Sequence, residues 1–316
     1  MSNKKLPLVV WLAFATLCIV WGTTYFGIKI TMEYFPPFFF SGVRHFVAGL
    51  IFLFIYLIIG ERKRPTWKDF RYASWTGVFM ITGGNALLSW SEKYISSGLA
   101  GILSAAAPLY ITFMSLYFFK GFRLTGRILL GLFISIFGIA LLSKPDAGVE
   151  LTPLFWFGFA LTLTANIFWG IGSIYMKRHV VEQHVFLKTA MQMIPASLVN
   201  LSISFIFEPL PNLAAVPSRG WWAVAYLIGV GSLIGYLTFV FCNKYMAPAR
   251  LSIHVYVNTV VAVLVGWLFG GEALTWWTWF SMSIVLAGVI LVNSEYARMQ
   301  SVPMNLKGFS YKKGHY

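Results

Sequence analysis

Long apolar stretches follow one another along almost the whole chain, and each ends at charged residues, proline or glycine. Because an α-helix rises about 1.5 Å per residue, about 20 apolar residues are needed to cross the hydrocarbon core of a bilayer. Ten stretches have roughly this length: residues 7–28, 37–59, 72–90, 97–119, 124–142, 154–176, 186–207, 221–242, 251–269 and 274–292. The pattern therefore predicts an all-α integral membrane protein with ten transmembrane helices.

The composition supports a membrane protein and argues against other classes. Hydrophobic residues make up 58% of the chain and charged residues 11%, whereas a soluble domain carries about 25% charged residues. The formal net charge of +14 comes from short basic clusters between the apolar stretches, which form no continuous basic face, so we predict no nucleic-acid partner. Cys18 and Cys242 lie inside apolar stretches, so we predict no disulfide, no metal site and no cofactor.

Basic residues are distributed unequally between the two sides of the predicted membrane. With the N-terminus in the cytoplasm, 19 of the 24 lysines and arginines fall on the cytoplasmic side, four on the outer side, and Arg44 within the second helix. Because basic residues resist translocation, this asymmetry predicts a multi-pass protein of the inner (plasma) membrane with both termini in the cytoplasm. Residues 297–316 are predicted to form a basic cytoplasmic tail along the anionic inner leaflet.

The two halves of the chain resemble each other weakly. The Trp-Gly pair at Trp21 recurs at Trp169, and Ala48 recurs at Ala196, both at an offset of 148 residues. Such offsets favour a duplication, which we place at residues 1–145 and 150–296. Because five is an odd number of membrane crossings, two five-helix repeats must insert with opposite orientations.

With these markers in register, the chain resembles the EamA-type permeases of the drug/metabolite transporter superfamily. The markers are Trp21-Gly22, Arg44, Ala48-Gly49, Tyr94 to Gly98, Pro108-Leu109 and Gly138 in the first half, and Trp169-Gly170, Tyr245 to Ala249, Gly271-Glu272 and Gly288 in the second. The resemblance spans nearly all of residues 8–295. It implies two inverted five-helix repeats, a central substrate cavity, and usually the export of amino acids, drugs or other metabolites.

Polar side chains recur at helical spacing within the predicted spans. Asn85 and Ser89 share a face of the third helix, and Asn166 and Trp169 share a face of the sixth. A polar face in a membrane lines a cavity or bonds to a neighbouring helix. The predicted substrate-binding residues are Thr24, Arg44, Asn85, Ser89, Asn166, Trp169, Tyr236, His254 and Asn258, and the predicted hinge is Pro108.

Arg44 is the one arginine or lysine well inside a predicted span. An unpaired charge at that depth costs several kcal/mol, so something must compensate it. One interpretation has the guanidinium bind a substrate carboxylate; the other has it cap helix-end carbonyls or extend to the outer surface.

Carboxylates are missing from the interiors of the spans, since Glu61, Asp69, Glu92 and Glu272 lie at or near their ends. Proton or sodium coupling commonly uses a buried carboxylate. We therefore hypothesise that transport is facilitated, of the exchange type, or coupled through a weaker site such as His45.

The function that these features favour is secondary transport. The substrate would be a small neutral or zwitterionic organic solute, an amino acid or related metabolite, which is exported by alternating access. No clustered acids or nucleophile with a base point to an enzyme. A carrier of nucleotide sugars or other sugars is the alternative, followed by a membrane subunit that does not transport. Besides its solute, we expect the lipid bilayer as partner, and a monomer or homodimer.

Overall fold

The computed structural model describes residues 7–59, 64–105, 125–142, 151–246, 251 and 254–301. These residues are almost entirely helical and contain no strand. Numbered in chain order, the helices are α1 (Leu8–Met32), α2 (Pro37–Ile59), α3 (Trp67–Gly77, continuing through Val78–Ala86 and Leu87–Ser91), α4 (Ser97–Ala105), α5 (Gly126–Leu142), α6 (Pro153–Arg178), α7 (Val185–Phe207), α8 (Ser218–Tyr226, continuing through Leu227–Ile234 and Gly235–Tyr245), α9 (His254–Gly270) and α10 (Trp276–Ser301). The predicted hinge, Pro108, lies outside the described residues.

Within the part of the chain that the structure describes, six helical stretches are long and apolar enough to cross a membrane. They are Leu8–Met32, Pro37–Ile59, Pro153–Met176, Val185–Phe207, Ser218–Phe239 and Trp276–Glu295. Large apolar side chains such as Leu57 and Phe207, 71% and 78% exposed, lie on their outer surfaces, where lipid replaces water as the solvent. The prediction of an all-α, multi-pass membrane protein is confirmed.

Helix ends differ from the predicted ones where local capping decides them. The third helix begins at Trp67, five residues earlier than predicted, because Thr66 and Asp69 form a capping box with hydrogen bonds of 3.0 and 3.1 Å. At the other end of the chain, α10 continues to Ser301. Residues 297–301 of the predicted tail are therefore helical and continue α10.

Two helices, α3 and α8, change to π-helix in their middle. The π-helical segments are Val78–Ala86 and Leu227–Ile234, which begin 149 residues apart and thus at equivalent places in the two halves. A π-helix accommodates more residues per turn than an α-helix and is often found at functional sites. The polar faces of these two helices consequently depart from simple α-helical periodicity.

Helix pairs that pack together have counterparts in the other half. Helix α3 packs against α6 and α7, and α8 packs correspondingly against α1 and α2. Helix α1 packs against α9, as α6 does against α4, while α2 pairs with α7 and α5 with α10. Adding five to, or subtracting five from, both helix numbers of any of these pairs gives a pair of helices that are in contact.

Carboxylates from the second half cap helices of the first half at the predicted outer end of the bundle. Glu208 accepts hydrogen bonds from the amides of Phe38 and Phe39 at the start of α2, at 3.0 and 2.9 Å. Glu272 accepts from the Ser97 amide and hydroxyl, both at 2.7 Å, and from the Gly98 amide at 2.9 Å, at the start of α4. Each carboxylate satisfies helix-end donors that no lipid could satisfy and is favoured by the helix dipole.

Replacing Gly77 by alanine should separate α3 from α7. A Cβ atom at Gly77 would overlap the carbonyl oxygen of Gln192, so the two backbones would have to move apart. We expect Gly77→Ala to cost about 1–3 kcal/mol in unfolding free energy. A Cβ at Gly229 would meet no atom within 4 Å, so Gly229→Ala is the matched control. Equal melting temperatures of the two variants in detergent would contradict this close packing.

Removing the Glu272 carboxylate should destabilise the start of α4. Glu272→Ala leaves three donors of Ser97 and Gly98 without their acceptor, at an expected cost of about 1–3 kcal/mol per buried group. Glu33→Ala, which removes an exposed carboxylate, should leave the melting temperature unchanged. Thermal unfolding in detergent measures both, and a Glu272→Ala variant as stable as wild type would disprove the capping role.

Candidate functional site

A cavity of about 230 Å³ lies between the two halves, and eight of the ten described helices line it. Helices α5 and α10 contribute no lining residue. The lining residues are Trp21, Thr24, Tyr25, Ile28, Arg44, His45, Gly77, Met80, Ile81, Gly84, Asn85, Leu88, Ser104, Ala165, Asn166, Trp169, Gln192, Met193, Gly231, Ser232, Tyr236, His254, Val255 and Asn258. Both π-helical segments contribute to this wall, through Gly84 and Asn85 on one side and Gly231 and Ser232 on the other.

Most of the predicted substrate-binding residues lie on this wall. They are Thr24, Arg44, Asn85, Asn166, Trp169, Tyr236, His254 and Asn258. Ser89 does not line the cavity; it is buried, and its hydroxyl donates to the carbonyl of Asn85 at 2.8 Å. Ser89 lies past the π-helical segment, in the α-helical stretch Leu87–Ser91, where it is packed inside the bundle.

Arg44 is buried in the cavity wall and does not extend to the outer surface. Its Nε donates to the Ser232 Oγ at 3.0 Å, and its guanidinium carbon lies 6.0 Å from the ring centroid of Phe40. A Cβ on Gly231 would lie 3.1 Å from Nη2, so the glycine makes room for the guanidinium. The Nη1 has no hydrogen-bond partner among the described residues. The guanidinium is thus oriented through Nε, while Nη1 lacks an acceptor in the described part of the chain.

His45 follows Arg44 and is held by its own helix. Its Nδ1 lies 2.7 Å from the carbonyl oxygen of Ser41, and because a carbonyl only accepts, this nitrogen carries the proton. The Ser41 hydroxyl in turn accepts from the Asn200 amide at 3.0 Å, which links α2 to α7. These contacts orient the ring for packing between helices and leave Nε2 as its remaining polar atom.

Aromatic rings form the side of the cavity between α1, α8 and α9. Trp21 stacks on Phe239 with ring centroids 5.2 Å apart and meets His254 edge-on at 5.4 Å. Tyr236 completes the group, 6.5 Å from Phe239. This wall provides a flat apolar surface with a few polar atoms at its edge, which suits the apolar part of an organic solute.

The side-chain amides of the cavity divide into two kinds. Asn258 is committed to structure, because in the orientation that satisfies its neighbours its nitrogen donates to the carbonyls of His254 at 2.9 Å and Cys18 at 2.8 Å. Asn85 has a buried Oδ1 without a partner among the described residues. Asn166 makes one long contact, 3.4 Å, to the carbonyl of Leu103. Asn85 and Asn166 therefore retain hydrogen-bonding capacity toward a ligand.

Gln192 and Tyr25 line the cavity but escaped the sequence analysis. Gln192 lies 148 residues after Arg44, the same offset that relates Trp21 to Trp169. The internal repeat thus carried a signal for Gln192. Tyr25 directly follows Thr24, a predicted binding residue, in α1.

The sequence suggested that no carboxylate is buried within the membrane part of the protein, and Glu92 shows that this was wrong. This residue follows α3 directly, and an end position suggested access to water, yet it is fully buried. The reason lies in α1, whose Lys29 ammonium donates to the carbonyls of Glu92 at 2.6 Å and Ile95 at 3.0 Å. The end of α3 is therefore enclosed by protein.

Comparisons with known proteins agree with this architecture. The EamA-like transporter family matches residues 8–144 and again residues 156–294. The chain belongs to the EamA-like transporter family. The predicted relationship to EamA-type permeases of the drug/metabolite transporter superfamily is confirmed, and the chain is a membrane transporter of this family.

Relatives extend over nearly the full chain. A protein of Escherichia coli K12 named "Uncharacterized inner membrane transporter YedA" is 32% identical over 283 residues, with 89% of each chain covered. The "Uncharacterized transporter YoaV" of Bacillus subtilis 168 is 26% identical over 289 residues, covering 89% of this chain and 94% of its own. A solved structure titled "Crystal structure of protein" has a TM-score of 0.63 at 18% identity and covers 94% of this chain, which shows a shared fold.

Cysteine substitutions one turn apart on α3 should react differently with thiol reagents. In a chain with Cys18→Ala and Cys242→Ala, Asn85→Cys places its thiol on the cavity wall, whereas Ser89→Cys places it in the buried interior. We expect a small hydrophilic methanethiosulfonate to modify the first variant much faster than the second. Modification of intact vesicles is measured by mass spectrometry. Equal rates for the two variants would show that Asn85 is no more accessible than Ser89, which contradicts its place on the cavity wall.

Proposed function

We propose that this chain is a secondary transporter that carries a small neutral or zwitterionic organic solute, an amino acid or related metabolite, through the central cavity. The observation that carries the proposal is the Arg44 guanidinium, buried in the cavity wall with Nη1 unpartnered among the described residues. A buried cation of this kind is stabilised when a carboxylate binds to it. The solute carboxylate would supply a negative charge and the hydrogen-bond acceptor that Nη1 of Arg44 lacks among the described residues.

The surroundings of Arg44 favour a small solute with one acidic group. A volume of about 230 Å³ lies below the range of about 300–1,000 Å³ that is usual for drug-sized ligands. Asn85, Asn166 and Gln192 offer neutral donors and acceptors, and the Trp21 wall offers an apolar surface. Among the described lining residues Arg44 is the one arginine or lysine, which disfavours nucleotide sugars, since their phosphates need several cations.

Alternating access between two inverted five-helix halves is the mechanism we propose. Three observations support it: the helix pairs map onto one another when helix numbers are shifted by five, the two π-helical segments lie at equivalent places, and the family matches the chain twice. Halves related in this way can exchange conformations, which opens the shared cavity to one side and then to the other.

The membrane setting follows from the same proposal. The excess of lysine and arginine in alternate connections supports an inner-membrane orientation with both termini in the cytoplasm. Export is the direction that the family resemblance favours. One chain supplies both halves and the whole cavity, so the proposed transport cycle works in a monomer as well as in a homodimer.

Ligand screening on the purified protein tests the solute class. A compound that binds the folded state raises its melting temperature, so amino acids, sugars and drugs can be compared by thermal stabilisation in detergent. We expect stabilisation by amino acids or related carboxylates, followed by counterflow of the radiolabelled compound in proteoliposomes. Stabilisation by nucleotide sugars alone, or no counterflow of any stabilising compound, would overturn the proposal.

Substitutions at Arg44 test the proposed contact. Arg44→Gln removes a charge-assisted hydrogen bond of about 1.5–3 kcal/mol, so solute binding should weaken about tenfold to a hundredfold. Arg44→Lys keeps the charge but not the planar guanidinium, so its solute affinity should lie between those of the wild type and Arg44→Gln. Arg219→Gln, which changes an exposed arginine at the start of α8, is the control. Unchanged affinity in a folded Arg44→Gln variant would exclude the contact.

A further inference from the structure

The carboxyl group of Glu92 is the most completely enclosed acidic group in the described part of the chain. Its residue has 0% of its surface exposed, and neither Oε1 nor Oε2 has a hydrogen-bond partner among the described residues. Buried polar groups are normally hydrogen-bonded, and an exception needs an explanation. Glu208 and Glu272, two other carboxylates at this end of the bundle, each accept hydrogen bonds from backbone amides. Glu92 therefore has no comparable structural role.

The charges around Glu92 compensate it only in part. The side chains whose fields act on its carboxyl group are those of Lys29, Arg44 and Glu272. The Lys29 ammonium is directed to two backbone carbonyls, and Glu272, which has the same sign as an ionised Glu92, is committed to α4. Glu92 forms no salt bridge with any described residue. An ion in such a place is costly, so the neutral acid is the form that suits the enclosed state.

The position of Glu92 connects it to the cavity. Leu88, one turn earlier in α3, and Asn85, a further turn away, both line the cavity. The field of the Glu92 carboxyl also reaches Tyr25, which lines the cavity from α1, and Arg44, which we propose as the solute contact. A proton on or off Glu92 is consequently felt at the place where the solute carboxylate would bind.

We propose that Glu92 is a proton-binding residue that couples solute binding at Arg44 to the proton gradient. This inference rests on the function proposed above and adds a coupling ion to it. When the outer end of the bundle opens, water reaches the carboxyl group, which then exchanges a proton with that side. When the outer end closes, Glu92 is enclosed as the neutral acid.

The coupling follows from competition for one positive charge. An ionised Glu92 offsets part of the positive potential at Arg44 and repels a second carboxylate there. When Glu92 is protonated, it no longer offsets the positive potential at Arg44, so the solute carboxylate binds there more strongly. Solute binding therefore takes up a proton, and by linkage protonation strengthens solute binding. Proton and solute move in the same direction, so an accumulated metabolite leaving the cell would carry protons with it, and an inward proton gradient would oppose its exit.

Infrared spectroscopy on proteoliposomes detects the proton on Glu92 without any solute. A protonated carboxyl group has a C=O stretching band that an ionised one lacks. We expect the wild type to show such a band, Glu92→Gln to lose it, and Glu33→Gln, which changes an exposed glutamate, to retain it. If the spectrum of Glu92→Gln equals that of the wild type from mildly acidic to mildly alkaline pH, Glu92 carries no exchangeable proton and the inference is wrong.

Transport assays separate the coupling from transport itself. The probe is a radiolabelled mixture of proteinogenic L-amino acids in proteoliposomes, assayed by counterflow and by accumulation driven by a pH gradient. With one proton per solute, a gradient of one pH unit supports up to about tenfold accumulation. We expect the wild type and Glu33→Gln to do both, and Glu92→Gln to keep counterflow but lose accumulation. Glu92→Asp, which keeps the carboxyl group, should keep part of the accumulation.

The possible outcomes distinguish the two proposals. Counterflow without any response to the pH gradient in the wild type, or undiminished accumulation by Glu92→Gln, would refute the coupling role and leave the transport proposal intact. Loss of counterflow in a folded Glu92→Gln variant would make Glu92 part of the solute pathway or of its structural support, which also contradicts the inference. Absence of counterflow in the wild type would refute the proposed solute class, while the infrared result still decides whether Glu92 binds a proton.

Discussion

The bilayer offers no hydrogen bonds, and this single constraint explains most of what the protein does with its polar residues. Most of the described backbone is satisfied by hydrogen bonds within helices. Helix ends inside the bundle then require partners of their own, which Glu208, Glu272 and Lys29 supply with charged side chains. Because the two carboxylates come from the second half and cap helices of the first, the same contacts that satisfy the helix ends also join the halves.

The groups left without a partner stand out against this background. Of the buried polar atoms without a partner among the described residues, several lie on or beside one cavity: Arg44 Nη1, both carboxylate oxygens of Glu92, Asn85 Oδ1 and Ser104 Oγ. Others, such as Gln183 Oε1 and Ser281 Oγ, lie away from it. In a membrane interior such groups are expensive, so their clustering is more informative than any one of them. A solute and a proton are ligands of the right chemistry to complete these sites, and both could leave again, as transport requires.

Both π-helical segments contribute residues to the cavity wall. In an ideal α-helix, side chains three or four positions apart share a face, and Asn85 and Ser89 would point the same way. Asn85 lies in the π-helical segment of α3 and lines the cavity, whereas Ser89 lies beyond that segment and is buried with its hydroxyl on a backbone carbonyl. The equivalent segment of α8 holds Gly231 and Ser232 against the Arg44 guanidinium.

The amino-acid sequence by itself determined the membrane character, the family and much of the cavity wall, because apolar length and helical periodicity are local properties. Trp21 and Trp169, which the sequence relates by an offset of 148 residues, both line the cavity, one from each half. Only the tertiary structure decided that Glu92 is enclosed and that Asn258 bonds to the backbone of α1. Burial and hydrogen-bond partners depend on residues distant in the chain, such as Lys29 for Glu92 and Cys18 for Asn258, and no local pattern records them.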